Sequence, residues 1–378
     1  MRVPFVDLHA QYLAHQAEFD SAFRDVIART AFIGGEYVRQ FDKDFAAAYG
    51  VRHCIGVGNG TDAIYIVLKM LGIGPGDEVI TTAASWISTS ETISQSGATP
   101  VFVDVDDFYN LDVEQVARKI SPRTKAILPV HLYGQAAQVD VLSELARKAG
   151  IALVEDCAQA HFAERSGKRV GTWGIAGTFS FYPGKNLGAY GDAGAIITDD
   201  DDFARRCRRY ANHGALVKHQ HEVEGINSRL DGLQAALLSK KLAHIHAWTD
   251  LRRRHAARYD ELLRDTQGVS IPRVRRDSTH VYHLYVIQCE LRDELREWLA
   301  RREIETAVHY PTALPLLEAY AHLEISAASI PRASANQDAI LSLPMYPELT
   351  DPMIEHVVAS IRDFYKAGRT SSVAARSK

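Results

Sequence analysis

The stretch that decides the fold is HCIGVGNGTDAIYIVLKMLGIGPGDEVITTA, residues 53–83. Two short apolar runs, HCIGVG and VITTA, lie on either side of the helix-like segment TDAIYIVLKMLGI and the turn GPGDE. The same order of helix and strand recurs downstream, in STSETISQSG with TPVFVDV and in VDVLSELARKAG with IALVEDCA. Short apolar strands that alternate with helices are typical of a sheet covered by helices on both faces. The sequence therefore predicts an α/β protein with a mostly parallel sheet.

The segments on either side of this region predict the rest of the architecture. Upstream, residues 15–50 carry apolar positions at helical spacing around Gly34-Gly35, which predicts two helices flanking a loop. Downstream, the Arg-rich region 231–264 has no Gly or Pro beyond Gly232 and predicts a long connecting helix. The patterns beyond it, ending in DPMIEHVVASIRDFYKA, predict a smaller C-terminal α+β domain. We expect a large domain with an N-terminal arm over 1–249, a small domain over 250–366 and a flexible tail over 367–378.

Composition and charge exclude several classes of protein. The chain has 378 residues, 46% of them hydrophobic and 24% charged, as in a folded protein with a large core. Its formal net charge of -4 gives no general attraction to nucleic acid or to an anionic membrane. Four single cysteines indicate buried thiols, with neither a disulfide framework nor a zinc site, and Asp7 and His9 stand where a signal peptide needs apolar residues. We expect a cytoplasmic protein whose partner is a small molecule.

A glycine-rich turn lies between the first strand and the first helix of the α/β region, in GVGNGTDA, residues 56–63. Such a turn exposes backbone N–H groups at the positive end of a helix, where a phosphate group binds well. Turns of this kind are also common without a ligand, so a purely structural role explains the segment equally well. The segment matches neither the dinucleotide-binding GxGxxG pattern nor the P-loop, which disfavours a nicotinamide- or ATP-dependent enzyme.

An acidic strand end and a lysine loop add two further parts of a site. In VEDCAQAH, residues 154–161, Asp156 ends a strand at the edge where open α/β sheets bind ligands. A solvated rim or a helix cap is the more common role of such a residue. In GTFSFYPGKNLGAYGDAGAIIT, residues 177–198, two strand patterns bracket Lys185 on a glycine-rich turn with little charge nearby. Desolvation there would lower the pKa of the Lys185 amine and make it a nucleophile toward an aldehyde.

A phosphate turn, a strand-end carboxylate and a sequestered lysine are together the parts that hold pyridoxal phosphate. Lys185 would bind the aldehyde, Asp156 would pair with the ring nitrogen, and the helix end would take the phosphate. No metal is required. Trp86, just past the strand VITTA, is the natural apolar partner for the face of the ring, and plain core packing is the competing explanation for it.

At these residues the chain resembles the DegT/DnrJ/EryC1/StrS family of sugar aminotransferases, which are fold-type-I pyridoxal phosphate enzymes. The resemblance extends from PFVDLHAQY to the terminal helix and rests on NGTDA, HLYGQ, EDCAQAH, FSFYPGKNLGAYGDAGA and GINSRLDGLQAA. It implies that Lys185 binds the cofactor and shuttles protons, that Asp156 pairs with the pyridinium nitrogen, and that Gln159 contacts the ring hydroxyl. The residues that it implies for the phosphate are Gly60, Thr61 and Ser180.

The resemblance also implies a second subunit. It places Asn227, in GINSRL, in the phosphate site of the partner, which implies an obligate homodimer with shared active sites. From the residues alone, an asparagine in a loop before a helix would simply be a helix cap.

The resemblance also bears on the identity of the substrate. The run SFYPGKNLGAYGDAGA, with HGALVKHQHEVEGINSRL after it, is most similar to the subgroup that acts at C-3 of nucleotide-linked 3-keto-6-deoxyhexoses. This implies transfer of the amino group of L-glutamate to a dTDP-linked keto sugar, with pyridoxamine phosphate as the intermediate form of the cofactor. Candidate contacts to the sugar or its diphosphate are Tyr182, His219, His221 and Tyr310. For the two histidines a solvated loop is the alternative, and metal binding lacks a third ligand nearby.

One departure from the family pattern limits the assignment of the sugar. Relatives often carry HYPxPxHxQ, whereas this chain has HYPTALPLL at 309–317, with Ala313, Pro315 and Leu317 in place of Pro, His and Gln. His309 and Tyr310 are retained, so we expect the loop to be present.

Two other functions stay open. The first is the same chemistry on a 4-keto sugar or on a UDP-linked 3-keto uronic acid. The second is a non-catalytic sensor or regulator, which the acidic charge balance disfavours because a DNA-binding protein carries a basic face. A related dehydratase branch carries histidine in place of the lysine, so Lys185 argues against that activity.

Overall fold

The computed structural model describes residues 1–376, with side chains through residue 367. Its strands are β1 (His53–Val57), β2 (Glu78–Thr82), β3 (Thr99–Val103), β4 (Thr124–Leu128), β5 (Ala152–Asp156), β6 (Glu164–Arg165), β7 (Lys168–Arg169), β8 (Ala176–Ser180), β9 (Gly194–Thr198), β10 (Ala215–Val217), β11 (Gln220–His221), β12 (Val269–Ser270), β13 (Tyr285–Cys289) and β14 (Ile340–Leu343).

The helices account for most of the remaining chain. They are α1 (Leu8–Ala14), α2 (Gln16–Ala28), α3 (Gly35–Tyr49), α4 (Gly60–Met70), α5 (Ser88–Ser96), α6 (Val113–Lys119), α7 (Val139–Ala149), α8 (Asp201–Ala211), α9 (Gly232–Leu242), α10 (Ile245–Leu263), α11 (Arg292–Ala300), α12 (Pro331–Ala339) and α13 (Asp351–Arg376). Short 3-10 turns cover Leu132–Gly134, Leu314–Leu316, Glu318–Leu323 and Ala327–Ser329.

A seven-stranded sheet with the order β1-β9-β8-β5-β4-β2-β3 organises the large part of the molecule. The pairs β2 with β3, β2 with β4, β4 with β5 and β5 with β8 are parallel, whereas β9 is antiparallel to both of its neighbours. The helices α4, α5, α6 and α7 make the connections from β1 through to β5, whereas the small hairpin of β6 and β7 lies in the connection from β5 to β8. The predicted α/β fold with a mostly parallel sheet is confirmed, and the carboxyl ends of β1, β2, β4, β5 and β8 meet at one edge.

The helix that follows β1 begins where the glycine turn predicts. Asn59 is its N-cap, because its side chain accepts a hydrogen bond of 2.8 Å from the backbone N–H of Asp62. The apolar residues of α4 that face the sheet are buried, and they are Ala63, Ile64, Ile66, Val67 and Leu68. Capping and apolar spacing together fix this helix at the edge of the sheet.

The prediction of one long helix over 231–264 is wrong. The chain bends at Ala243-His244, and α9 and α10 are separate helices. The His244 ring lies 2.9 Å from the Glu18 carboxylate of α2, and it packs against the His15 ring at 4.2 Å between centroids. We attribute the break to these contacts with α2. It could not be predicted from the sequence, because neither Gly nor Pro stands at residues 243–244.

Two buried cores accompany the predicted division of the chain. One includes Phe45 and Phe179, and the other is built from α11, α13 and the small sheet in which β13 pairs with β12 and β14. The helix α10 contributes Trp248 to the first core and Tyr259 to the second, so residue 250 falls inside one continuous helix. The boundary between 249 and 250 stays a prediction. The four cysteines are buried free thiols, as expected.

The C-terminal helix α13 continues to Arg376, beyond residue 367 where the sequence predicts a flexible tail to begin. Residues 377 and 378 lie outside the described part of the chain, and the tail stays a prediction. Among residues 1–376, none of the helices is both long and apolar enough to span a membrane.

Candidate active site

Lys185 lies on the loop between β8 and β9, at the carboxyl edge of the sheet. Two backbone hydrogen bonds close this loop: Lys185 N–H donates to the carbonyl of Tyr182 over 2.8 Å, and Ala189 N–H donates to that of Phe181 over 2.7 Å. Gly188 is packed so tightly that an added Cβ would lie 2.2 Å from the carbonyl oxygen of Pro183. The loop is therefore a fixed turn, as its Pro and Gly content predicts.

The partly buried Lys185 side chain lies close enough to the buried carboxylate of Asp156 for their charges to interact. Asp156 ends β5, which pairs with β8, the strand that leads into the lysine loop. Burial lowers the pKa of the Lys185 amine to about 8, and the charge of Asp156 opposes that shift. Burial raises the pKa of the Asp156 carboxyl, while Lys185 is among the groups that lower it. The lowered amine pKa agrees with the prediction from the uncharged surroundings of this lysine.

Asp156 and its neighbour Glu155 have different environments. The Thr89 hydroxyl donates to Asp156 Oδ2 over 2.9 Å and the Ala158 N–H donates to Oδ1 over 3.1 Å, which leaves lone pairs for another donor. Glu155 is fully buried and accepts hydrogen bonds of 2.7 to 3.1 Å from His131 Nε2 and from the N–H groups of Gly171, Trp173 and Gly174. Glu155 is therefore saturated and organises a loop, whereas Asp156 can hold a ligand.

Gln159 is buried, and both ends of its amide are oriented by neighbours. The backbone N–H of Tyr133 donates to Gln159 Oε1 over 2.7 Å, and Gln159 Nε2 donates to the Tyr310 hydroxyl over 3.1 Å. Tyr133 has a φ of 59°, and its own hydroxyl donates to the carbonyl of His309. This arrangement leaves the second N–H of the Gln159 amide for another acceptor.

The glycine turn after β1 packs directly against the end of β8. The helix α4 begins at Gly60, where an added Cβ would lie 2.7 Å from the Cβ of Ser180. The hydroxyl of Thr61, in the same first turn, lies 2.7 Å from that of Ser88. The structure thus brings the three predicted phosphate residues to one helix N-terminus, whose free N–H groups suit an anion.

Two aromatic side chains near this edge are unusually exposed. Trp86 is 58% exposed and Tyr182 is 60% exposed. The Trp86 ring lies 5.8 Å from the ring of Tyr310, between centroids. Plain core packing is therefore wrong as an explanation of Trp86, and its free face is available to an aromatic ligand.

Three predicted site residues have exposed side chains, and one of them, Asn227, precedes Ser228, whose hydroxyl accepts from the Gly58 N–H of the glycine turn over 3.0 Å. His219 and His221 belong to the exposed hairpin of β10 and β11, and Asn227 is exposed as well. Within residues 1–376, no hydrogen bond joins any of the three to Lys185 or to its neighbours. The helix-cap explanation of Asn227 is wrong, because Asp231 occupies the N-cap of α9.

The residues that depart from the family pattern in HYPTALPLL pack into the interior. Ala313 is buried in a cluster with Ala83, Val105, Ile330 and Ala333. Leu317 packs against a different cluster, that of Phe102, Leu314 and Tyr320. Tyr310 accepts a hydrogen bond from Gln159, and the His309 carbonyl accepts one from the Tyr133 hydroxyl, so the loop is present, as expected.

Three histidines near Lys185 form a part of the site that sequence analysis missed. Burial first, and the charge of Lys185 second, lower the pKa of His161 to about 3 and that of His309 to about 4. The same two causes lower the pKa of His283 well below its ordinary value. These rings are neutral at pH 7 and do not compete with Lys185 for the charge of Asp156. Nothing in EDCAQAH or HVYHLY distinguishes such a histidine from a solvated one.

These residues fit pyridoxal phosphate. Lys185 offers an amine with a lowered pKa, and Asp156 offers unused lone pairs in a buried setting. Gln159 retains one N–H for the ring hydroxyl, and the turn at Gly60 offers helix N–H groups for the phosphate. Every group of the cofactor has a chemically matched partner at one sheet edge.

The lowered pKa of Lys185 predicts a pH-dependent rate of cofactor binding. Only the uncharged amine attacks an aldehyde, and with a pKa of about 8 about a tenth of it is uncharged at pH 7. We expect the rate constant for binding pyridoxal phosphate to cofactor-free protein to rise about tenfold between pH 6 and pH 7 and to level off above pH 8. Stopped-flow absorbance measures this rate. A rate that still rises steeply at pH 10 would contradict the lowered pKa.

Comparison with families of known proteins gives a match over residues 14–362. The matching family is the DegT/DnrJ/EryC1/StrS aminotransferase family.

Individual relatives cover nearly the whole chain. A pleiotropic regulatory protein from Geobacillus stearothermophilus is 45% identical over 97% of this chain and 99% of its own length. A dTDP-3-amino-3,4,6-trideoxy-alpha-D-glucose transaminase from Streptomyces venezuelae is 43% identical over 96% of each chain. A UDP-N-acetyl-3-dehydro-alpha-D-glucosamine 3-aminotransferase from Acidithiobacillus ferrooxidans is 40% identical over 95% of this chain and 97% of its own.

Solved structures give the same result for the fold. DesV from S. venezuelae, in complex with a ketimine intermediate, superposes with a TM-score of 0.94 at 43% identity, covering 96% of this chain and 98% of its own. NtdA from Bacillus subtilis, with bound PMP, superposes with a TM-score of 0.87 at 28% identity, covering 95% of this chain and 84% of the NtdA chain.

Proposed function

Because the chain belongs to the DegT/DnrJ/EryC1/StrS aminotransferase family and is a pyridoxal phosphate-dependent transaminase, we propose that it aminates a nucleotide sugar at C-3. The amino donor is L-glutamate, and the acceptor is a dTDP-linked 3-keto-6-deoxyhexose. One observation supports the chemistry above all others: the Lys185 amine, with a pKa of about 8, interacts by charge with the buried Asp156 carboxylate at the carboxyl edge of the sheet.

In this proposal Lys185 and Asp156 divide the acid–base work. When bound, pyridoxal phosphate supplies an electron sink for the carbon that loses a proton. The Lys185 Nζ binds the cofactor between reactions and carries a proton during them, for which a pKa near the working pH is best. The Asp156 carboxylate holds a proton on the ring nitrogen that faces it, and burial strengthens that charge interaction.

Other residues orient the cofactor. Gln159 donates its free N–H to the ring hydroxyl, and Tyr133 and Tyr310 fix the amide that does so. Trp86 stacks on the ring and excludes water from its face. The phosphate binds at the first turn of α4, at Gly60 and Thr61, beside Ser180.

The names of the relatives support amination at C-3. The S. venezuelae transaminase is named for a 3-amino sugar linked to dTDP, and the A. ferrooxidans enzyme is named a 3-aminotransferase of a UDP-linked sugar. The dTDP-linked relative is the more similar of the two to this chain, at 43% against 40% identity. This difference favours the dTDP-linked sugar, with Tyr182, His219, His221 and Tyr310 as proposed contacts to the substrate.

Parallel assays with three keto sugars test the substrate. Purified enzyme receives L-glutamate with a dTDP-linked 3-keto sugar, a dTDP-linked 4-keto sugar or a UDP-linked 3-keto uronic acid, and mass spectrometry measures the amino sugar. We expect kcat/KM to be at least about tenfold higher for the dTDP-linked 3-keto sugar. A site with polar groups that pair with one substrate discriminates against an analogue that leaves those groups unpaired. A preference for either other sugar would overturn the assignment of the substrate and leave the transaminase chemistry intact.

A non-catalytic regulator is the second candidate, and the name of the G. stearothermophilus relative favours it. The intact pair of Lys185 and Asp156 speaks against it, because a sensor has no use for an amine with a lowered pKa. A gel-shift with random DNA, run beside the turnover assay, separates the two. DNA binding by a protein without turnover would support the regulator.

We also propose an obligate homodimer in which Asn227 reaches the phosphate site of the partner. The exposure of Trp86 and Tyr182 beside the site, together with the exposed side chain of Asn227, supports this arrangement. Lys185→Ala and Asn227→Asp should each be inactive alone. An equal mixture of the two variants with reassorted subunits should recover about a quarter of wild-type activity, because about half of the dimers are mixed and each mixed dimer has one intact site of two. No recovery in verified mixed dimers would contradict shared sites.

A further inference from the structure

Lys241, on α9, is a buried cation outside the residues assigned above. Its side chain is 0% exposed. Its Nζ donates to the carbonyl oxygen of Gly188 over 2.8 Å and to Gln11 Oε1 over 3.0 Å, and it lies 4.3 Å from the centroid of the Tyr190 ring. Two of its partners, Gly188 and Tyr190, belong to the loop that carries Lys185.

The burial of this lysine requires compensation. A buried ammonium costs free energy unless donors and acceptors replace the water that it loses, and long lysine side chains normally reach solvent. The neighbouring Lys240, on the same helix, is exposed. Lys241 turns inward, where the Gly188 carbonyl and the Tyr190 face take the place of water.

A second residue of α9 holds the same segment. Gln234 Oε1 accepts from the backbone N–H of Tyr190 over 2.8 Å, and Gln234 Nε2 donates to the Tyr190 carbonyl over 3.3 Å. One face of α9 thus binds residues 188 to 190 through three side-chain hydrogen bonds. Because Gly188 packs on Pro183, a shift of this segment moves the turn that contains Lys185.

We propose that Lys241 is a positioning residue, which together with Gln234 holds segment 188–190 against α9 and so keeps the Lys185 amine near the buried carboxylate of Asp156. This inference rests on the proposed role of Lys185. Without the ammonium of Lys241, the buried Gly188 carbonyl would lose its donor, and the turn would relax toward solvent.

The inference has a consequence for the amine itself. The pKa of Lys185 is lowered by burial, so a relaxed turn that admits water raises it toward its ordinary value. The groups that face Lys241 are Gln11 of α1, Phe19 of α2 and Tyr190, and the titratable groups that interact with its charge are Glu348 and His15. Burial lowers the pKa of Lys241 to about 8, and the charge of Glu348 opposes that shift. Because Lys241 itself changes charge near pH 8, the experiment compares the variants over a pH series.

The test uses Lys241→Met, which keeps the length of the side chain, with Lys240→Met as the matched control. Cofactor-free protein is acetylated with acetic anhydride over a pH series, and mass spectrometry measures the modification of Lys185. We expect the midpoint for Lys241→Met to move up by about one pH unit and the rate at pH 7 to fall about tenfold. Lys240→Met should match the wild type. In the holoenzyme, kcat should fall about tenfold with KM changed less than about twofold.

Two further measurements keep the outcomes distinct. Gln234→Leu removes the other two bonds to the segment and must move the midpoint in the same direction, which decides the question if Lys241→Met does not fold. An unchanged midpoint in a folded variant with a lower Tm would overturn the inference and leave Lys241 a stabilising residue only. Pyridoxal phosphate must protect Lys185 from acetylation in the wild type. If it does not, the proposed function fails, and the midpoints in cofactor-free protein still decide the role of Lys241.

Discussion

Replacing Lys185 with alanine is expected to lower kcat by at least about 10³-fold, because the variant lacks both the amine that binds the cofactor and the base that moves the proton. The protein should still fold, since the loop is closed by the backbone of Lys185, Tyr182, Ala189 and Phe181 and not by the lysine side chain. The wild type should be yellow and should bleach toward the pyridoxamine form when L-glutamate is added. Visible absorption spectra of both proteins measure the effect.

Two controls sharpen this experiment. Lys125→Ala removes an exposed lysine from β4 and should leave the spectrum and kcat unchanged. Methylamine should restore part of the activity of Lys185→Ala, because a small free amine can enter the space that the side chain leaves. Full turnover by Lys185→Ala would remove Lys185 from the reaction, and a wild type that stays colourless with added pyridoxal phosphate would remove the aminotransferase chemistry itself.

The large α/β region could be predicted from its sequence because each decisive signal there is local. The run VITTA has no helix-like spacing, and its first four residues form most of the buried strand β2, while Asn59 caps α4 within three residues. The turn around Lys185 is predictable for the same reason, since Pro183 and its glycines restrict the backbone directly. Resemblance to the family then adds the roles of these residues, which spacing does not supply.

Contacts between distant segments could not be predicted in this way. Thr89 donates to Asp156 from 67 positions away along the chain, and the Tyr133 N–H meets Gln159 only because β4 and β5 are neighbours. The break before α10 depends on Glu18, more than two hundred positions upstream of His244. Sequence periodicity reports which face of an element is buried, but it does not report which residue lies on the other side of the contact.

Asp156→Asn is expected to lower kcat about 10² to 10³-fold, the cost of removing one preorganised electrostatic partner from a buried site. Asparagine keeps the shape of the side chain: its oxygen can accept from the Ala158 N–H and its NH2 can donate to the Thr89 hydroxyl, but it brings no negative charge to hold a proton on the ring nitrogen. Stopped-flow measurement of each half-reaction detects the change, and cofactor binding should persist because Lys185 and the phosphate turn are intact.

The stability of the same variant separates chemistry from folding. Burial raises the pKa of Asp156 in the folded protein above its value in the unfolded chain, so the charged carboxylate destabilises the fold. The loss of folding stability develops as pH rises from the pKa of the unfolded chain through that of the folded protein. Asp156→Asn removes that charge, and the Tm of cofactor-free protein at pH 7 should not fall.

Glu155→Gln is the contrasting control, because Glu155 accepts four hydrogen bonds from His131 and the 171–174 loop. It should lower Tm and leave the chemistry of each half-reaction nearly unchanged. A slow but stable Glu155→Gln beside an unstable Asp156→Asn with nearly unchanged half-reactions would reverse the assignment of the two carboxylates, since the one that binds the cofactor is the one whose loss costs rate without costing stability.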